Sequence, residues 1–337
     1  MIKSLNKVDE NMSMFVLCMD AMSKEIMARY DLPNTILIDL DSFEDEELLS
    51  VKKDRSKGEY CWTCTAKLIH YVIKRFDSSP CTYVDADLFF YTNPKVIIDE
   101  MADKTVSLVP HRFSRTLIGK NQEKKYGKNC VQFNTFTSEQ SSLQLLEEWT
   151  NECVKECSVS RGGDQVYTNK WDKHHFVSIS KIGGAGVAPW NINRFKLIDQ
   201  ERNILYDKND KEKYKLIFYH FQNVKYINRY KIQIELKTQY WALDDKLINH
   251  LYYPYLILLE REKQILENKF HFVPEIRTYI ADFNSKIGLF NRISGIFSKS
   301  PLVTILNIDS YLKRKLRQKS TFYYIDEHEM KAEESKL

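Results

Sequence analysis

Apolar and polar positions along the first half of the chain follow two alternating periods. Met14–Met19 (MFVLCM) is a short apolar run that ends at Asp20, and Ala21–Tyr30 then spaces its apolar residues as a helix does. Asn34–Leu40 (NTILIDL) follows a proline and predicts a second strand, and the acidic stretch Asp41–Val51 predicts a short helix. Glu59–Phe76 (EYCWTCTAKLIHYVIKRF) is apolar along one face and predicts a long helix. Cys81–Val84 (CTYV) predicts a brief strand that runs straight into Asp85-Ala86-Asp87. Thr92-Asn93-Pro94 starts another helix, with proline near its first turn, and Thr105–Val109 predicts a further strand. Downstream, Glu139–Cys157 predicts a helix, and Arg161–Gln165 a turn that opens another helix through Trp171. Phe176–Ile179 predicts a strand, Ile182–Asn193 a Gly/Pro loop, and Leu216–Phe221 a strand carrying His220.

Strands and helices in alternation, the strands apolar throughout, predict an α/β fold with a mostly parallel sheet flanked by helices on both faces. Ligands of such sheets bind beyond the carboxyl ends of the strands. Asp20 and the Asp85/Asp87 pair fall at such ends. From about residue 230 the pattern turns helical, basic and aromatic. The expected organisation is therefore a domain over 1–229, a helical region over 230–325 and a charged tail over 326–337.

Composition narrows the class. A chain of 337 residues with 43% hydrophobic and 13% aromatic residues carries ample material for a core, and 10 Gly with 8 Pro exclude collagen-like and low-complexity architectures. The net charge of +4 comes from 50 basic and 46 acidic residues, too balanced to point to a nucleic-acid partner. No apolar run spans a bilayer and no export signal is visible, so a cytoplasmic protein with its seven cysteines reduced is expected.

The chemistry concentrates in Tyr83–Phe90 (YVDADLFF). Two carboxylates one residue apart at a strand end can aim at one hard divalent cation, which takes oxygen ligands and leaves positions open for phosphates. Paired aspartates in a loop are also ordinary turn formers. His220 lies in an apolar strand, where a core histidine bonded to a carbonyl and a metal ligand are both compatible with the pattern. Cys61/Cys64 with Cys153/Cys157 have spacings that a four-cysteine zinc site could use, but both pairs sit in apolar helical patterns, and core packing is the reading preferred for them. No glycine-rich dinucleotide or P-loop motif and no G-x-S-x-G elbow occurs.

Five segments occur in order: EYCWTCTAKLIHYVI, TYVDADLFFYTNP, GGDQVYTNKW, GAGVAPWNI and YHFQNVK. Together, over roughly residues 14–230, the chain resembles bacterial nucleotide-diphospho-sugar transferases akin to glycosyltransferase family 8, which have the GT-A (Rossmann-like) fold. The resemblance implies that Asp85 and Asp87 bind the metal with His220, and that the cofactor is Mn²⁺ or Mg²⁺. It places Asp164 and Gln165 at the donor sugar as the catalytic pair, although Asp164 after two glycines also suits a helix N-cap. It places Lys67, Ala86, Asn134, Gly183, Gly184, Trp190 and Lys225 at donor-binding positions. An exposed helical lysine at Lys67 and a packed Pro189-Trp190 corner are the plain alternatives. The ending QNVKYIN departs from the family's Gly and Pro-Trp pattern at Lys225.

The implied function is hexosyl transfer from a nucleoside-diphosphate sugar, most simply uridine-linked, to a surface glycan such as lipopolysaccharide or capsule, with retention at the anomeric carbon. The alternatives are an inactive protein of the same fold that binds glycan or a partner, and a sugar nucleotidyltransferase. The acceptor would be glycan or lipid-linked glycan. The basic, apolar stretches Lys286–Lys299 and Tyr311–Lys319 suit peripheral contact with an anionic membrane on its inner face. Met1–Asn11 leaves little room before the first strand, and MIKSL suits the last turn of a helix, so the first strand of a donor-binding sheet is expected to be missing.

Overall fold

The computed structural model describes residues 1–30, 32–228, 231–234, 244–273 and 322–324. The two basic stretches offered above for membrane contact, and the charged tail, lie outside these residues. The chain divides into two compact units, Met1–His220 and Phe221–Leu337.

The first unit opens with helix α1 (Ile2–Val8), strand β1 (Met14–Cys18), helix α2 (Ala21–Tyr30) and strand β2 (Thr35–Asp39). β1 and β2 pair in parallel, Met14 opposite Thr35, as a two-stranded sheet. Helices α3 (Leu40–Phe43) and α4 (Glu46–Lys52) occupy the acidic stretch. The long amphipathic helix α5 (Lys57–Phe76) follows, opened by a capping box between Ser56 and Glu59. Strand β3 (Cys81–Val84) then delivers the chain to the Asp-x-Asp turn, and β4 (Leu88–Phe90) leaves it.

Helix α6 (Lys95–Asp99), strand β5 (Val106–Pro110), helix α7 (Leu117–Tyr126), strand β6 (Asn129–Phe136) and helix α8 (Gln140–Lys155) come next. A 3-10 helix spans Asp164–Lys173, and strand β7 covers Val177–Ile179. Strands β8 (Phe195–Asp199), β9 (Ile204–Asp207) and β10 (Lys213–Lys215) form an antiparallel sheet, and β11 (Phe218–His220) ends the unit.

The central sheet runs β3-β6-β5-β7. It is mixed, which corrects the expectation of a mostly parallel sheet: β6 lies antiparallel to both β3 and β5, and β5 pairs in parallel with β7. Every residue of β6 is buried. Burial along β6 includes the polar residues Asn129, Gln132, Asn134 and Thr135, and the sense of the strand is set by its pairing with β3 and β5. The architecture is α/β with mixed and parallel sheets.

On one side, α5 and α8 bury Ala66, Ile69, Ile73, Leu146 and Trp149 against Val106, Leu108 and Phe136 of the sheet. Another cluster joins Leu5 of α1 to Leu88, Phe90, Phe133 and Phe218. Here Ser4 Oγ accepts from the Phe90 amide at 3.1 Å. That cluster clamps the two short strands that flank the Asp-x-Asp turn.

The second unit contains strands β12 (Lys225–Asn228), β13 (Lys231–Gln233) and β14 (Phe322–Tyr324) in an antiparallel sheet, together with helix α9 (Asp245–Phe270). β13 and β14 lie in the stretch from about residue 230 whose pattern is helical, and are strands instead. Phe221 stacks on Tyr255, and Tyr226 donates to Glu260 at 3.0 Å within this unit. Among the described residues no helix is long and apolar enough to cross a membrane.

Candidate metal centre

Asp85 and Asp87 flank Ala86 in the turn between β3 and β4. β3 pairs with β6 so that Tyr83 faces Asn134 and Val84 faces Phe133. The pairing runs one step further, since the Asp85 amide donates to the Gln132 carbonyl at 3.1 Å. β4 in turn pairs with β11, setting His220 opposite Leu88, next to Asp87 in sequence. The His220 amide is held by the Val187 carbonyl at 2.9 Å. Two strand pairings of long sequence separation therefore bring one histidine onto a local acidic pair.

The donor atoms of Asp85, Asp87 and His220 lie within 4.8 Å of one another. His220 Nε2 is 3.0 Å from Asp87 Oδ1 and 3.9 Å from Asp85 Oδ2. Adjacent ligands of an octahedral ion bound at about 2.1 Å are about 3 Å apart, so these separations suit one cation with little adjustment. Two carboxylates and one imidazole form a donor set compatible with Mn²⁺ or Mg²⁺, the imidazole favouring Mn²⁺. The residues fit the ion.

The electrostatics are those of a cluster short of positive charge. Burial raises the pKa of Asp85, with the Asp87 charge adding to it against the opposing pull of His220. For Asp87, burial is outweighed by the hydrogen bond and charge of His220, and the carboxyl falls below its ordinary value. Burial likewise works against the charged form of His220, but its bond to Asp87 and the two carboxylates outweigh it and raise its pKa. Tyr83 donates its hydroxyl to Asp85 Oδ1 at 3.0 Å and orients that carboxylate.

Asp164 opens the 3-10 helix as its first residue; Gly163 is the cap residue, and no side chain caps the helix. Its carbonyl accepts from the Trp149 indole at 3.0 Å, whereas its Oδ2 is buried without a hydrogen-bond partner. Burial, then the charge of Asp85, pushes its pKa up to about 7. A carboxyl with a pKa near neutrality can accept a hydrogen bond from a hydroxyl or donate one to it. Gln165 follows, half-buried, with its side chain near the His111 ring.

The other expected site residues have definite neighbours. The Lys67 ammonium is paired with Asp45 and lies 3.5 Å from Glu47, so a phosphate would have to compete for it. Asn134 is buried on β6, its Oδ1 taking the Val109 amide at 3.3 Å while Nδ2 has no partner. Gly184 makes room for the chain itself: a Cβ there would stand 1.8 Å from the Lys215 carbonyl oxygen. A Cβ at Gly183 would meet the Tyr214 ring. Trp190 is buried, donates its indole N–H to the His111 carbonyl at 2.9 Å, and sets its ring edge-on to His220 with centroids 5.2 Å apart. Lys225 begins β12 in the second unit.

All seven cysteines are free, and the four cysteines weighed as a zinc site do not form a metal cluster among the described residues. Sequence reading missed Tyr83, Gln132 and His111. One signal was present for Gln132: it lies two residues before Asn134 in CVQFNTF, and on a strand two such residues share a face.

No family model matches the chain. It is similar to the uncharacterized protein YfnD of Bacillus subtilis (strain 168), with 28% identity over 295 residues, covering 84% of this chain and 88% of that protein. It is also similar to the uncharacterized protein YfnF of the same organism, with 28% identity over 287 residues, 80% of this chain and 91% of that protein. The similarity extends over most of all three chains.

Proposed function

We propose that this chain is a metal-dependent glycosyltransferase of GT-A-like fold, related to glycosyltransferase family 8, that moves a hexosyl group from a nucleoside-diphosphate sugar to a glycan acceptor. The observation that carries the reading is the convergence of Asp85, Asp87 and His220 on one cation-sized space beside the carboxyl end of β3. A bound Mn²⁺ or Mg²⁺ would neutralise the charge that grows on a departing diphosphate. The chain's own part is to hold that charge at a fixed place and to present polar groups to the sugar. Tyr83 and the β3/β6 register fix the carboxylates. Asp164, with a carboxyl tuned near neutrality and an unpartnered oxygen, is the group suited to bind a sugar or acceptor hydroxyl, with Gln165 beside it. Transfer with retention, the acceptor approaching on the leaving-group side, completes the reading.

The test is a screen of nucleotide sugars for hydrolysis and transfer by the full chain with Mn²⁺. Turnover is expected with one uridine-linked sugar, abolished by chelator and reduced at least about 100-fold in Asp87→Asn. Pyrophosphate release from a sugar 1-phosphate and a nucleoside triphosphate would replace this reading with a nucleotidyltransferase. Metal-independent turnover unaffected by Asp87→Asn would remove it.

A further inference from the structure

The ring of His220 is held from behind as well as in front. Its Nδ1 lies 2.9 Å from Gln132 Oε1, and both residues are buried, Gln132 completely. The amide Nε2 of Gln132 has no hydrogen-bond partner. In a strand buried along its whole length, an apolar side chain would fill that position without leaving a polar atom orphaned. The useful end of this side chain is therefore its oxygen. Its surroundings keep it in place: Gly186 stands beside it at φ 81°, and a Cβ there would come within 2.7 Å of Nε2. Only a glycine is comfortable at that φ, and only a glycine leaves the amide its space.

We propose that Gln132 is the positioning residue of the metal centre, accepting a hydrogen bond from Nδ1–H of His220 and so leaving Nε2 as the nitrogen that holds its proton toward Asp87 in the metal-free site and gives its lone pair to a cation that takes the proton's place. The inference rests on the cation reading above and adds a residue to it. An amide oxygen accepts and cannot donate, so it selects the ring form with hydrogen on Nδ1. That is the form able to give Nε2 to a cation. Without the acceptor, the ring is free to place its hydrogen on Nε2, where it blocks ligation, or to turn in its pocket. Outer partners of this kind typically change metal affinity by 10–100-fold. The backbone of the same residue accepts from the Asp85 amide, so Gln132 serves the carboxylate turn through its carbonyl and the histidine through its side chain.

The experiment is titration of Mn²⁺ alone into the full chain by calorimetry, for wild type, Gln132→Leu, Gln132→Glu and Asp87→Asn. Circular dichroism would verify the fold of each variant. With Mg²⁺ in place of Mn²⁺, long-range ¹H–¹⁵N spectra would read the tautomer of the His220 ring. Expected are roughly 10–100-fold weaker Mn²⁺ binding in Gln132→Leu, wild-type or tighter binding in Gln132→Glu, and a hydrogen on Nδ1 of wild type that becomes mixed in Gln132→Leu. Should the leucine variant fail to fold, Gln132→Asn keeps the amide but shortens its reach, and is expected to weaken Mn²⁺ to a similar degree. If Asp87→Asn weakens Mn²⁺ while the Gln132 variants bind as wild type does, the positioning role is overturned and the metal centre stands. If wild type does not bind, or binds as Asp87→Asn does, the cation reading falls and takes this assignment with it.

Discussion

His111 is neutral at a cost that depends on pH. It is buried, stacked on Phe113 at 4.7 Å and edge-on to Trp190 at 5.4 Å, and its Nδ1 has no partner. Burial first, and then the charge of His220, lower its pKa from 6.5 to about 3. The unfolded chain therefore takes up a proton near pH 6.5 that the folded chain refuses until about pH 3. Stability from this residue is complete above pH 6.5 and drains away as pH falls toward 3, by about 2 kcal/mol between pH 6.5 and 5. Urea unfolding at the two pH values should show that His111→Gln loses less stability on acidification than wild type does, by a comparable amount. Equal slopes would mean the imidazole is solvated or paired in the folded state. His111 illustrates what a sequence conceals at this scale. Asp85 and Asp87 are legible because the strand, its end and both carboxylates lie within a few consecutive residues. His220 reads as a ligand or a core residue until β11 is laid on β4, and Gln132 has no role until β6 is laid on β3.

Between elements, one side chain does two jobs. Glu59 Oε2 accepts from the Ser56 amide at 3.0 Å in the capping box of α5, and its Oε1 accepts from the Val159 amide at 3.0 Å. The second bond ties the first turn of α5 to the segment that leads into Gly162-Gly163-Asp164. Gly163 lies against Trp62 of the same helix, where a Cβ would stand 3.1 Å from the ring. Glu59→Ala should therefore speed hydrogen exchange at the amides of 158–163 as well as at the start of α5. Ser56→Ala should cost about 1 kcal/mol through the cap alone and leave the Val159 amide protected. Exchange at 158–163 unchanged in Glu59→Ala would show that the loop is held by its glycine turns and not by the carboxylate. Long amphipathic elements such as α5 and α8 were legible from their spacing. The short strands were less so: β10 is three residues, two of them lysines, and its pairing with β9 is a tertiary matter that no local pattern announces. The sense of β6 was equally hidden, because β3–β6 pairing decides it and hydrophobicity does not.

For the whole chain, the three candidate ligands fall within one of its two compact units. Asp85, Asp87 and His220 all belong to Met1–His220, with His220 its last residue. A cation held by these three joins the middle of that unit to its end, and it is lost when the unit unfolds because the unfolded chain does not hold the ligands together. Under the proposed function, binding would stabilise by mass action: at a hundredfold excess over Kd, Mn²⁺ with a nucleoside diphosphate would add about 2.7 kcal/mol. A unit of this size gains about 2–4 °C per kcal/mol, so the midpoint of its thermal transition should rise by about 5–10 °C. The rise should be reversed by chelator and absent in Asp87→Asn. The diphosphate without Mn²⁺ should give little of it, since the carboxylates alone repel a second anion. A full shift from the nucleotide in the presence of chelator would instead place the binding energy in other parts of the unit, and the acidic turn between β3 and β4 would lose its claim to the diphosphate.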